Sequence, residues 1–138
     1  TTEIYTLSLH DALPISKADA ERRLKPFGAE ILSLTYRHVV DVSRAHGVLP
    51  VWIFMPTLED PLHESEIVHL SNLAEQAGFI VLNLADAYKG QDTNSLVVAY
   101  WDKHPNATGH MLIAEELYRK LRQKEAEIPL FQESAVIR

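Results

Sequence analysis

Cysteine is absent from the 138 residues, which excludes disulfides, thiolate metal sites and a cysteine nucleophile while leaving the compartment open. No apolar run approaches the roughly 18–20 residues that a bilayer-crossing helix needs, so no membrane span is expected. Positive charge is scarce: 13 Lys+Arg stand against 19 Asp+Glu, a net charge of −6. With no basic patch to meet phosphates, a nucleic-acid partner has no electrostatic support. Repeats and low-complexity tracts are missing too. What remains is 46% hydrophobic and 23% charged, the balance of an ordinary globular chain, and the length suits one domain or part of one.

Thr1–Ile15 reads TTEIYTLSLHDALPI. It resembles, codon by codon, the in-frame translation of a common short-read sequencing adapter, and the leftover base begins a serine codon, as at Ser16. The alternative is a native β-like leader. Foreign segments are set aside before fold reasoning, so residues 1–15 are expected to be adapter-derived. His10 and Asp11, a tempting acid–base pair, then carry no functional weight. A gene cut at its 5′ end would also have lost its initiator Met and any leader, which leaves localisation open. Without Glu3 and Asp11, 17 acidic residues face 13 basic ones, a net charge of −4, the mild acidity of a soluble chain.

From Ser16 to about His46 the spacing is helical. Leu24, Phe27, Ile31, Leu34, His38 or Val39, Val42 and Ala45 recur three or four apart and form one face. Pro26 is expected to kink or restart the helix, and Gly47 after Arg44 and His46 to end it. Val48–Met55 (VLPVWIFM) is almost wholly apolar, as suits a strand buried on both faces of a parallel sheet, with Pro50 near its start. A polar loop leads to a helix of about Glu64–Ala77, closed by Gly78, and then to a second apolar strand, Phe79–Leu84. Strand, helix, strand is a βαβ unit with parallel strands and a right-handed crossover. After Asp86 and Tyr88 come a polar loop, the short apolar piece Leu96–Tyr100, the sequence WDKHPN, and a helix of about Ala107–Lys124 with Asn106 as its N-cap. Its expected buried face is Met111, Ala114, Leu117, Tyr118 and Leu121, with Glu115/Glu116 and Arg119/Lys120 paired in solvent.

Chemistry concentrates in Trp101-Asp102-Lys103-His104-Pro105-Asn106. Two residues apart in extended backbone, Asp102 and His104 place their side chains on one side. The carboxylate can hold one imidazole nitrogen and fix the tautomer, freeing the other to take a proton from a nucleophile. The position fits as well, because catalytic groups of open α/β sheets gather beyond the carboxyl ends of strands. An Asp-x-His before a helix also serves as a plain turn and cap, and that reading stays open here.

The block WDKHPNATGHMLIAEELYRKL resembles the last conserved block of the SGNH, or GDSL-type, hydrolases, in which Asp-x-His-Pro-Asn is followed by Gly-His and an apolar helix. The upstream order, an apolar strand ending in Pro, a helix and a strand ending near an acidic residue, is similar too. The resemblance spans about residues 29–124, and its specific part is Asp102–Ala114. It implies a partial three-layer αβα, flavodoxin-like parallel sheet: residues 16–125 would be the C-terminal portion of such a domain, truncated, with 126–138 as a tail. It further implies that His104 is the general base of a Ser-His-Asp triad and that Asp102 orients it, in the chain order Ser…Asp…His. The implied substrate is an acyl ester, a carbohydrate O-acetyl or short lipid ester, with no cofactor and no metal.

The family's Gly-Asp-Ser nucleophile and its oxyanion Gly and Asn match nothing here. None of Ser16, Ser33, Ser43, Ser65, Ser71, Ser95 and Ser134 has that context, and no nucleophile is assigned. Among other candidates, His110 reads as structural and His63 and His69 as solvent-facing. Asp86 and Tyr88 are candidates to line the same mouth, and Trp101 reads as a packing anchor. A metal site from Asp102, His104 and His110 has poor geometry. Asn106-Ala-Thr108 is formally a glycosylation sequon beside the candidate site. The competing function is a non-catalytic, flavodoxin-like α/β binding module, since one architecture hosts many functions.

Overall fold

The computed structural model describes residues 15–128. All of the adapter-like segment but Ile15, and the tail beyond Ile128, lie outside the described residues. Helix α1 (Lys17–Leu24) starts at Ser16, whose hydroxyl accepts the Asp19 N–H at 3.1 Å. Pro26 sits in a 3-10 turn, Lys25–Phe27, and the chain restarts as α2 (Gly28–Ala45), the break that proline imposes. Past α2, Gly47 takes φ +68°. The Val48 N–H reaches the Ser43 carbonyl at 2.8 Å and the Gly47 N–H that of Arg44 at 3.0 Å, a closure that satisfies the last carbonyls.

Strands β1 (Val51–Phe54) and β2 (Ile80–Asn83) pair in parallel, Val51 opposite Ile80 and Phe54 opposite Asn83, with α3 (Glu64–Ala77) between them. This is the expected βαβ unit. Helix α3 ends at Gly78 with φ +102°, where an added Cβ would stand 2.7 Å from the Arg44 guanidinium. That guanidinium donates to the Gly78 carbonyl at 2.9 Å, tying the ends of α2 and α3 together. Strands β3 (Val97–Ala99) and β4 (Asp102–Pro105) form an antiparallel hairpin, and α4 (Ala107–Gln123) follows. The WDKHPN segment is therefore mostly strand, not an extended loop. Leu84, Ala87, Tyr88, Leu96 and Ile113 form the core cluster, with Leu58, Leu112 and Leu117 packed on it. Among the described residues, no helix is long and apolar enough to cross a membrane.

Burial departs from the sequence reading in three places. Strand β1 is shorter than Val48–Met55 and is not buried on both faces, since Val48, Leu49, Ile53 and Met55 are exposed. Strand β1 pairs with β2 alone among the described residues. The carbonyls of Pro50 and Phe54 accept from Ile80 and Leu84, each at 3.0 Å, so alternation turns the polar groups of Val51 and Ile53 to an open edge. Second, the expected apolar face is exposed at Leu24 of α1, Phe27 of the 3-10 turn, and Ile31, Leu34, Val39 and Val42 of α2. Helix α2 packs through Val40 and Tyr36 instead. The Tyr36 hydroxyl accepts the Trp52 indole N–H at 2.9 Å, and its ring meets Trp52 and Phe79 edge-on. Third, α4 is turned relative to expectation: Gly109 and Ile113 are buried while Met111, Ala114 and Tyr118 are exposed. Glu116 turns inward with them rather than into solvent. Arg119, donating through Nε at 2.8 Å, holds the Glu116 carboxyl below its usual range.

Candidate active site

Strand β4 carries Asp102 and His104 at alternate positions, so both side chains leave on one face. The His104 Nδ1 lies 2.6 Å from Asp102 Oδ1, and the same oxygen accepts the His104 backbone N–H at 3.0 Å. The backbone hydrogen bond first, and then the ring contact, hold the Asp102 carboxyl below the usual carboxylate range. An ionised carboxylate only accepts. The shared proton therefore sits on Nδ1, and in the neutral ring Nε2 is left as a free base. His104 is otherwise open to solvent, its side chain 88% exposed.

Just behind this pair, Asn106 locks the frame. Its Oδ1 caps α4 by accepting the N–H groups of Thr108 at 3.0 Å and Gly109 at 3.1 Å. Its Nδ2 donates to the carbonyls of Ser95 at 2.9 Å and Val97 at 3.2 Å, while its own N–H reaches Leu96 at 2.7 Å. One side chain thus fastens α4 to the hairpin bearing His104. Gly109 completes the junction. A Cβ there would stand 2.9 Å from the Pro105 side chain and 3.1 Å from the Leu96 carbonyl, so the close approach requires glycine.

The pair opens onto a cleft of about 490 Å³. One wall is the loop that leaves the carboxyl end of β1, Met55–Glu59; the other is Trp101–Pro105 with His110 and Ile113 of α4. Ligand sites of open α/β sheets favour this place beyond a strand's carboxyl end, and the volume lies in the usual range for small-molecule sites. Of the described residues lining the cleft, Thr57 carries the one hydroxyl, and it donates to the Glu59 carbonyl at 2.6 Å. No serine among the described residues lines it.

The other candidates divide. His110 reaches the cleft. Asp86 and Tyr88 do not; they line an adjoining hollow on the far side of Pro56–Leu58, where Asp86 pairs with Lys89 at 3.5 Å. Burial raises the Tyr88 pKa and leaves its hydroxyl without a hydrogen-bond partner. His63 and His69 are exposed on α3, His63 as its N-cap. Trp101 is not a packing anchor: it is 74% exposed and meets Tyr100 edge-on at 4.4 Å at the cleft lip. No group of three or more His, Cys, Asp or Glu that could hold a metal is gathered among the described residues. The sequence reading missed Met55, Leu58, Glu59, Lys103 and Ile113. The first three follow directly on β1, and the carboxyl-end rule applied to that strand would have found them. No known protein family matches the chain, and no curated protein or solved structure matches it either.

Proposed function

We propose that the chain is the C-terminal part of a serine ester hydrolase of the SGNH type, with residues 16–125 belonging to its α/β domain. The observation that carries this reading is the 2.6 Å contact between Asp102 Oδ1 and His104 Nδ1 at the mouth of the cleft. In the intact enzyme His104 Nε2 takes the proton of a serine hydroxyl as its oxygen attacks the ester carbonyl. The imidazolium, stabilised by Asp102, then gives the proton to the departing alcohol. Water repeats the cycle on the acyl-enzyme. The serine and the oxyanion donors, each worth about 10²–10³ in rate, belong to other segments of the domain. The substrate is an acyl ester, a carbohydrate O-acetyl or a short lipid ester.

The layering supports a flavodoxin-like sheet. Trp52, held by Tyr36 of α2, and Leu84 just past β2, packed in one cluster with Ile113 of α4, belong to opposite faces of the strand pair. Helices α2 and α3 lie side by side. With right-handed crossovers, a strand leading into α2 would then take the open edge of β1. The test is His104→Ala in a protein carrying the upstream segment. Turnover of p-nitrophenyl acetate is expected to fall by about 10³-fold or more with the fold unchanged. Equal turnover would overturn the reading.

A binding module remains the second reading, favoured by one observation. The bond from the His104 backbone N–H to Asp102 is a self-contained turn that needs no catalysis to explain it. The same substitution separates the two readings.

A further inference from the structure

We infer that the cleft beside His104 is an acyl pocket built for a chain longer than acetyl, with Trp101 closing over it. This rests on the ester-hydrolase reading and deepens it. The floor is apolar and fixed: Ile113 is buried in the core cluster, and Leu58 packs on the same cluster. Met55 and Trp101, large apolar side chains left more than half exposed, stand at the rim over that floor. An acetyl group covers little of such a surface. A chain of several methylenes running from the carbonyl at His104 onto Leu58 and Ile113 would cover Met55 and Trp101 and the open part of Leu58, each buried methylene adding about fourfold in affinity. Of the polar lining, Asp102, Lys103, His104 and His110 lie on the hairpin and the first turn of α4, where the ester head belongs, and Thr57 and Glu59 lie on the Met55–Glu59 wall beside Leu58.

The test uses the chain itself, with hexanamide and acetamide as neutral carbonyl probes that differ only in chain length. Binding is followed by NMR at the Ile113 methyls and the Trp101 indole N–H. Hexanamide is expected to saturate the Ile113 shifts at about tenfold or more lower concentration than acetamide. Trp101→Ala and Met55→Ser, both at exposed positions, are expected to weaken hexanamide severalfold without changing the fold. Three results would each overturn the inference: equal affinities for the two amides, indifference to Trp101→Ala, or a hexanamide midpoint at the Ile31 and Leu34 methyls of α2 equal to that at Ile113. The last would mark general adsorption to apolar surface. Failure of the hydrolase reading shows separately, as unchanged turnover in the His104→Ala protein, because amide binding requires no chemistry.

Discussion

A single oxygen, Oδ1 of Asp102, receives both the ring and the backbone of His104. The arrangement ties the imidazole and the backbone of β4 to one carboxylate. Its pH dependence has a definite sign. Asp102 has a lower pKa folded than unfolded, because the two hydrogen bonds favour the ionised form. The stability these bonds contribute is therefore fully present above the ordinary aspartate range. It is lost as pH falls through the lowered folded value. A carbon-detected titration is expected to place the Asp102 carboxyl midpoint below that of an unstructured aspartate. Asp102→Asn should then flatten the acid limb of the unfolding curve. A midpoint at the ordinary value would mean that the two bonds do not persist in solution.

At the scale of elements, the decisive joint is the one between the β3–β4 hairpin and α4. Asn106 serves it twice, accepting from the helix and donating to the hairpin. Replacing it by aspartate keeps the cap acceptors and loses the two donors, setting a carboxylate against the carbonyls of Ser95 and Val97. Asn106→Asp is expected to destabilise the fold by about 1–3 kcal/mol, measured by urea unfolding. Asn106→Ala, which loses both sets of bonds, should cost at least the roughly 1 kcal/mol of a lost cap. The cap itself was legible in the sequence, as were the helix ends at Pro26, Gly47 and Gly78, because each is decided by local backbone chemistry. So was the Asp102–His104 contact, which needs only two residues of extended chain. The rotations of α2 and α4 were not. Both helices carry apolar residues on more than one side, and periodicity finds the strongest stripe, whereas Tyr36 and Gly109 show that partners elsewhere decide which stripe is buried. The cleft was legible only in part: the carboxyl-end rule points to the Met55–Glu59 loop after β1, but nothing local pairs that distant wall with His104.

For the whole molecule, the open edge of β1 and the bare stripe of α2 set its behaviour in solution. Strand β1 reads VWIF, without a charge or bulge to deter pairing, and Leu24, Phe27, Ile31 and Leu34 extend the apolar surface. Edges of this kind invite association. Sedimentation is expected to show weight-average mass rising with concentration. Ile53→Lys, a gatekeeper charge on an already exposed position, should suppress that rise with the monomer fold retained. A concentration-independent monomer would show that the edge is harmless as it stands.

Pro50 has a quieter consequence. The groups of residues 50, 52 and 54 turn toward β2, where the Pro50 carbonyl accepts from Ile80, so the N–H that proline lacks is missing on the paired side. The free side keeps its full row of donors and acceptors. A strand arriving there would need no covalent link to this chain to make its contacts. The link would supply only effective concentration, of millimolar order for a short flexible tether. The free edge is thus as open to a strand of a separate polypeptide, supplied in sufficient excess, as to one joined to this chain.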